Sequence, residues 1–167
     1  MKVKKLTLTA VLTAGALVCF VIENQIPPLT AIPGIKLGLA NIFTLFTLCA
    51  VGAPEALAVL VIRVGLGCVI TGQMSALLYS AAGGILAFAV MLLLRRVLPE
   101  NRLWVISVFA AMAHNAGQMA AAVLITGTKQ ILYYLPVLLA AAILAGVFTG
   151  VCAQTVLRQL RKNGLLP

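Results

Sequence analysis

Apolar residues run through this chain in long unbroken stretches rather than in strict alternation, and short polar or proline-containing breaks separate them. Six such runs can be marked: about Leu6–Ile22, Leu37–Val51, Ala56–Thr71, Ser75–Leu94, Leu103–Ile125 and Ile131–Val156. Helices of about 20 residues match the hydrocarbon thickness of a bilayer. The pattern therefore predicts an all-α bundle of six transmembrane helices, in which the shorter second and third runs pack inside rather than against lipid. The loops Gly52–Glu55 and Gly72–Gln73 are tight. The longest connection is Glu23–Lys36, with Pro27, Pro28, Pro33 and Gly34, and the prolines predict a defined, lid-like loop rather than a loose tether. A stiff link without function is the plainer alternative. No repeat or soluble segment interrupts the series, so residues 1–167 are expected to form one transmembrane domain.

Composition agrees with the pattern. Hydrophobic residues make up 63% of the chain and charged residues 9%, against about a quarter charged in an average soluble domain. Mean hydropathy is +1.15. Such a chain cannot cover itself with water-compatible side chains, and an integral membrane protein is the class that remains.

Charge placement adds orientation. Lys2, Lys4 and Lys5 open the chain, Arg95, Arg96 and Arg102 cluster in the middle, and Arg158, Arg161 and Lys162 close it. Cytoplasmic loops collect Lys and Arg, so six spans put all three clusters and both termini in the cytoplasm, with Lys36 and Lys129 outside, in the cell (cytoplasmic) membrane. Five spans would break that bias. The net charge of +9 is explained by this orientation and by anionic headgroups, and no aromatic-interleaved basic patch points to nucleic acid. The basic, apolar start imitates a secretory signal but lacks a small-x-small cleavage site, so it reads as a retained first span. Cys19, Cys49, Cys68 and Cys152 lie within spans without CxxC spacing and are expected as packing residues.

The candidate chemistry lies in the few polar residues at membrane depth. Arg63 stands in Ala56–Ile70, whose other residues are all apolar or glycine, where a guanidinium costs at least about 2.5–3.5 kcal/mol. His114 and Gln118 are four residues apart on one face of the fifth span, with Asn115 beside them. Asn41 and Tyr79 each lie about a turn inside the outer end of their spans. All six could converge on a cavity in the outer half of the bundle, with Glu23 and Lys36 at its mouth. The competing reading is a polar zipper between helices, and it is the better one for Asn41 or Gln118 taken singly. The chain has no Asp, and Glu23, Glu55 and Glu100 fall near the ends of runs. Arg63 is therefore expected to lack a carboxylate at its own depth and to serve an anionic or carbonyl-rich small molecule, unless Glu23 reaches inward to pair with it. Flavins, quinone-like carbonyls, carboxylated vitamins and phosphorylated precursors all suit such a centre.

The same scarcity of acids speaks against self-sufficient catalysis. Mg²⁺–diphosphate chemistry uses clustered carboxylates, a lone His builds no zinc site, and no phosphate loop or nucleophile elbow is present. No metal, no resident cofactor and no enzyme activity are expected. Small residues mark close helix approaches: Ala10 and Ala14 on the first span, and Ala142, Gly146 and Gly150 on the sixth. Ordinary packing within the chain is the favoured reading for each.

The segment Pro33-Gly34-Ile35-Lys36-Leu37-Gly38-Leu39-Ala40-Asn41, with Arg63-Val64-Gly65, Ser80-Ala81-Ala82-Gly83-Gly84 and His114-Asn115-x-x-Gln118, resembles the Gx transporter family, which also carries the name heptaprenyl diphosphate synthase component I. That family is similar to the substrate-binding S components of energy-coupling factor (ECF) transporters. The resemblance implies six helices, a first helix whose Ala10 and Ala14 dock on a coupling subunit served by ATPases, and a gate at Glu23–Lys36. It implies uptake of a small nutrient or cofactor precursor. The synthase name implies instead a non-catalytic membrane subunit linked to isoprenoid or quinone metabolism or electron transfer, since an Asp-free chain lacks the motifs that hold prenyl diphosphates.

Overall fold

The computed structural model describes residues 2–25 and 38–166. Six α-helices form: α1 (Lys2–Gln25), α2 (Asn41–Ala50), α3 (Ala53–Thr71), α4 (Ser75–Val97), α5 (Leu103–Thr126) and α6 (Leu135–Lys162). Short 3₁₀ turns at Glu100–Arg102 and Lys129–Tyr134 lead into α5 and α6. The described residues contain no strand. Five helices, all but α2, are long and apolar enough to cross a membrane. α2 has ten residues, about 15 Å of rise, which is half of a hydrocarbon layer of about 30 Å.

Several boundaries differ from those read in the sequence. α1 continues through Gln25, so Glu23 is helical rather than part of a loop. Pro27, Pro28, Pro33 and Lys36 lie outside the described residues. α2 begins at Asn41 instead of Leu37, because Gly38 takes φ 77° and the chain turns there, with Asn41 N–H donating to the Gly38 carbonyl. α3 does not pack wholly inside. Leu57, Val61, Leu66, Val69 and Ile70 form an exposed apolar face on it, while Val59, Leu60, Arg63, Val64 and Cys68 point inward. α6 runs on to Lys162, placing Arg161 and Lys162 in its last turn, where cations meet the negative end of the helix dipole.

α5 is the centre of the bundle, clasped between α4 and α6, while α1 and α2 pack on α3. Glycines set the clasp. A Cβ on Gly117 would stand 2.8 Å from the Ala82 carbonyl oxygen and 3.0 Å from Gly83 Cα, so α4 and α5 touch backbone to backbone. On the other flank, a Cβ on Gly146 would meet Val108 Cα at 2.6 Å. The Ala142/Gly146/Gly150 ladder is thus internal packing, as the plainer reading had it. Leu45, Phe46, Met91, Leu103, Ile106 and Leu157 fill one end of the core.

At that same end the polar groups form a clasp. Arg95 of α4 and Arg161 of α6 each hold one carboxylate oxygen of Glu100. Arg161 also donates to the Cys49 carbonyl of α2 at 3.3 Å. Gln154 of α6 accepts from Leu103 N–H at 3.0 Å and so satisfies a donor in the first turn of α5.

Candidate binding site

Arg63 is 2% exposed, and its Nη2 donates to Asn41 Oδ1 at 3.0 Å. A guanidinium at the middle of an apolar helix can remain charged only with partners around it, and here neighbouring helices supply them. Glu23 is 5% exposed on the last turns of α1. Its Oε1 accepts from the backbone N–H groups of Gly38 and of Leu39, the latter at 3.2 Å. The same carboxylate is close enough to act electrostatically on Arg63. The expectation that Arg63 has no carboxylate at its level is therefore corrected. The physical reason is the extra turn of α1, which carries Glu23 into the bundle instead of leaving it at a loop mouth.

Glu23 also latches the start of α2 to the end of α1, through two charge-assisted bonds of the strong kind. Gly38 completes the arrangement. A Cβ there would stand 2.7 Å from His114 Cδ2 and 2.8 Å from Asn41 Nδ2. The backbone at Gly38 is thus pressed onto the buried imidazole of α5, which both the positive φ and the absence of a side chain permit. α1, α2, α3 and α5 each bring a functional group to this place.

Of the other expected residues, Asn115 and Tyr79 make contacts elsewhere. Asn115 is fully buried, and its Nδ2 donates to the Leu138 carbonyl of α6 at 2.9 Å, a helix-to-helix tie of the zipper kind. Tyr79 packs with Met119, Ala122, Ile131 and Leu138 in an apolar cluster. Gln118, also fully buried, lies with His114 in the seam between α4 and α5: a Cβ on Gly83 would stand 2.7 Å from Gln118 Cγ and 3.0 Å from His114 Nδ1. The structure thus gathers Asn41, Arg63, His114 and Glu23, keeps Gln118 beside His114, and turns Tyr79 and Asn115 to other contacts. Ala10 and Ala14 face outward on α1; Gly15, next to them, takes the close contact, with Phe43.

Thr44 on α2, which the sequence reading did not single out, and Ser80 on α4, which it met only within the Ser80–Gly84 step, are both buried. Single hydroxyls are common in membrane helices, and only burial distinguishes these. Their hydroxyls, Arg63 Nε and Asn41 Nδ2 find no hydrogen-bond partner among the described residues. Buried donors in that condition cost about 1–3 kcal/mol each, so the guanidinium and the amide next to it each have an N–H left to donate to an acceptor atom. The described residues contain no group of three His, Cys, Asp or Glu side chains able to hold a metal ion.

A family model described as heptaprenyl diphosphate synthase component I matches residues 12–156, which include every residue of this polar centre. No curated protein and no solved structure matches.

Proposed function

This chain belongs to the heptaprenyl diphosphate synthase component I family, and from that premise we propose that it is a non-catalytic, substrate-capturing subunit of the cell membrane. It takes up a small anionic or carbonyl-rich nutrient or cofactor precursor, energised by a separate ATPase module that reaches it through a coupling subunit. The observation that carries this reading is the buried Arg63–Asn41 pair, which keeps unbonded donors directly beneath the Glu23–Gly38 latch. Opening the latch frees the junction of α1 and α2 and exposes both donors; closing it over a ligand restores the backbone bonds and excludes water.

The topology that goes with this function has six crossings, with α2 counted as the second, and both termini in the cytoplasm. The collection of Arg95, Arg161, Glu100 and the end of α2 at one end of the bundle supports it. The outward-facing Ala10 and Ala14 offer α1 a smooth strip for the coupling subunit.

Native mass spectrometry of the protein purified in mild detergent tests the reading. The wild type is expected to retain a bound small molecule that Arg63→Ala loses, and cells carrying that variant lose uptake of the same molecule. Normal uptake with Arg63→Ala would sink it. The family name favours a second reading, a membrane subunit of an isoprenoid-linked synthase. Co-purification with ATPase and coupling subunits speaks for the first reading, and with a prenyl-transferring partner for the second.

A further inference from the structure

A second polar feature lies at the opposite end of α2 from Arg63. A cleft of about 160 Å³ opens there, lined by Glu100, Asn101, Leu103, Gln154, Leu157, Arg158 and Arg161. Its apolar lining is Leu103 and Leu157, both buried. Glu100 is the only acid in the lining, and both its oxygens are taken by Arg95 and Arg161. Three arginines, Arg95, Arg158 and Arg161, thus stand against one carboxylate that has no free oxygen to repel an anion.

Donors remain at the same place. Arg158 makes no hydrogen bond or ion pair among the described residues, and it is exposed. Gln154 uses its oxygen on Leu103 N–H, which leaves its amide NH₂ as a donor. Exposed Arg102 and Lys162 flank the cleft in sequence and extend its positive field. Trp104, the single tryptophan, follows Leu103 and is 43% exposed, as is usual for an indole at the headgroup level. Farther from this end, Phe109, Phe148 and Val151 expose apolar surface on α5 and α6.

We propose that this cleft is a lipid-phosphate site: Arg158, Arg161 and the Gln154 amide hold a phosphate group at the membrane surface while its hydrocarbon tail lies along the exposed faces of α5 and α6. Basic recesses between membrane helices recognise phosphate headgroups by this combination of charge and donors. A bilayer phospholipid and a prenyl diphosphate present the same chemistry. The site is separate from the Arg63 centre, and its fate does not depend on the capture reading.

Trp104 supplies the measurement. The full chain in a neutral detergent is titrated with short-chain phosphatidylglycerol, with farnesyl diphosphate, with short-chain phosphatidylcholine and with inorganic pyrophosphate, following indole fluorescence. Saturable binding is expected for at least one of the first two, and the tighter one identifies the source. Arg158→Gln, which breaks no hydrogen bond or ion pair among the described residues, is expected to weaken that binding about fivefold, as one basic residue near a membrane surface does, and Lys129→Gln to leave it unchanged. Absence of saturation, equal affinity in Arg158→Gln, equal binding of phosphatidylcholine, or pyrophosphate binding as tight as the lipid would each overturn the proposal.

Discussion

Wild type, Glu23→Gln, Arg63→Met and their double variant, with Glu23→Ala beside this cycle of four, give the sharpest test of the buried centre. Glu23 does two things: it acts electrostatically on Arg63 and accepts the N–H groups of Gly38 and Leu39. Glu23→Gln removes the charge and keeps one oxygen for the latch. Breaking a buried ion pair typically costs about 3–5 kcal/mol; Glu23 acts on Arg63 through space and Arg63 keeps its bond to Asn41, so a smaller cost of about 2 kcal/mol is expected. Glu23→Ala also removes the acceptor and leaves buried N–H donors unmet, a further penalty of about 1–3 kcal/mol. In the double variant Glu23→Gln/Arg63→Met no guanidinium remains to be stranded, so most of the first cost returns. The cycle should then show a coupling of about 2 kcal/mol, within the range found for residues in one network. Dodecyl sulfate titration of the purified protein, read by loss of helical circular dichroism and by Trp104 fluorescence, gives the four stabilities. Additivity within about 0.5 kcal/mol would show that Glu23 and Arg63 do not act as a unit, and the account of a charge-coupled centre would fall with it.

The backbone contact of α4 with α5 makes a second prediction. Gly117→Ala puts a methyl 2.8 Å from the Ala82 carbonyl oxygen and is expected to destabilise the bundle by about 1–3 kcal/mol. Gly65→Ala, with nothing within 4 Å, should stay within about 0.5 kcal/mol of wild type; equal stability of the two variants in the same titration would contradict the packing described. Orientation is tested in a background with Cys19, Cys49, Cys68 and Cys152 replaced. An impermeant maleimide added to intact cells is expected to label Lys129→Cys and to spare both Lys4→Cys and Asn163→Cys. Labelling of only one of the latter two would mean an odd number of crossings.

The sequence by itself determined the class and most of the helices. Runs of apolar residues as long as a bilayer is thick leave few alternatives to membrane helices, because an unpaired backbone group in hydrocarbon costs several kcal/mol and a helix pairs all of its own. Arg63 was equally legible as a residue that needs partners, since its cost in such a run depends only on its neighbours in sequence. Its partner was not legible. Whether Glu23 ends a helix or begins a loop is a matter of one turn, and that turn decides whether its carboxylate enters the bundle or leaves it. The polar residues of the fifth run were legible as a group, and His114 and Gln118 do stay together while Asn115 turns away. A helix clasped on two flanks sends neighbouring side chains to different partners, so Asn115 reaches α6, while Gln118 and His114 both meet α4 at Gly83 and His114 also meets Gly38. Only the tertiary structure could assign them, because the direction of each side chain follows from how α5 is rotated between α4 and α6. That rotation is fixed by contacts at Gly83, Gly117 and Gly146, residues with no side chain to give it away.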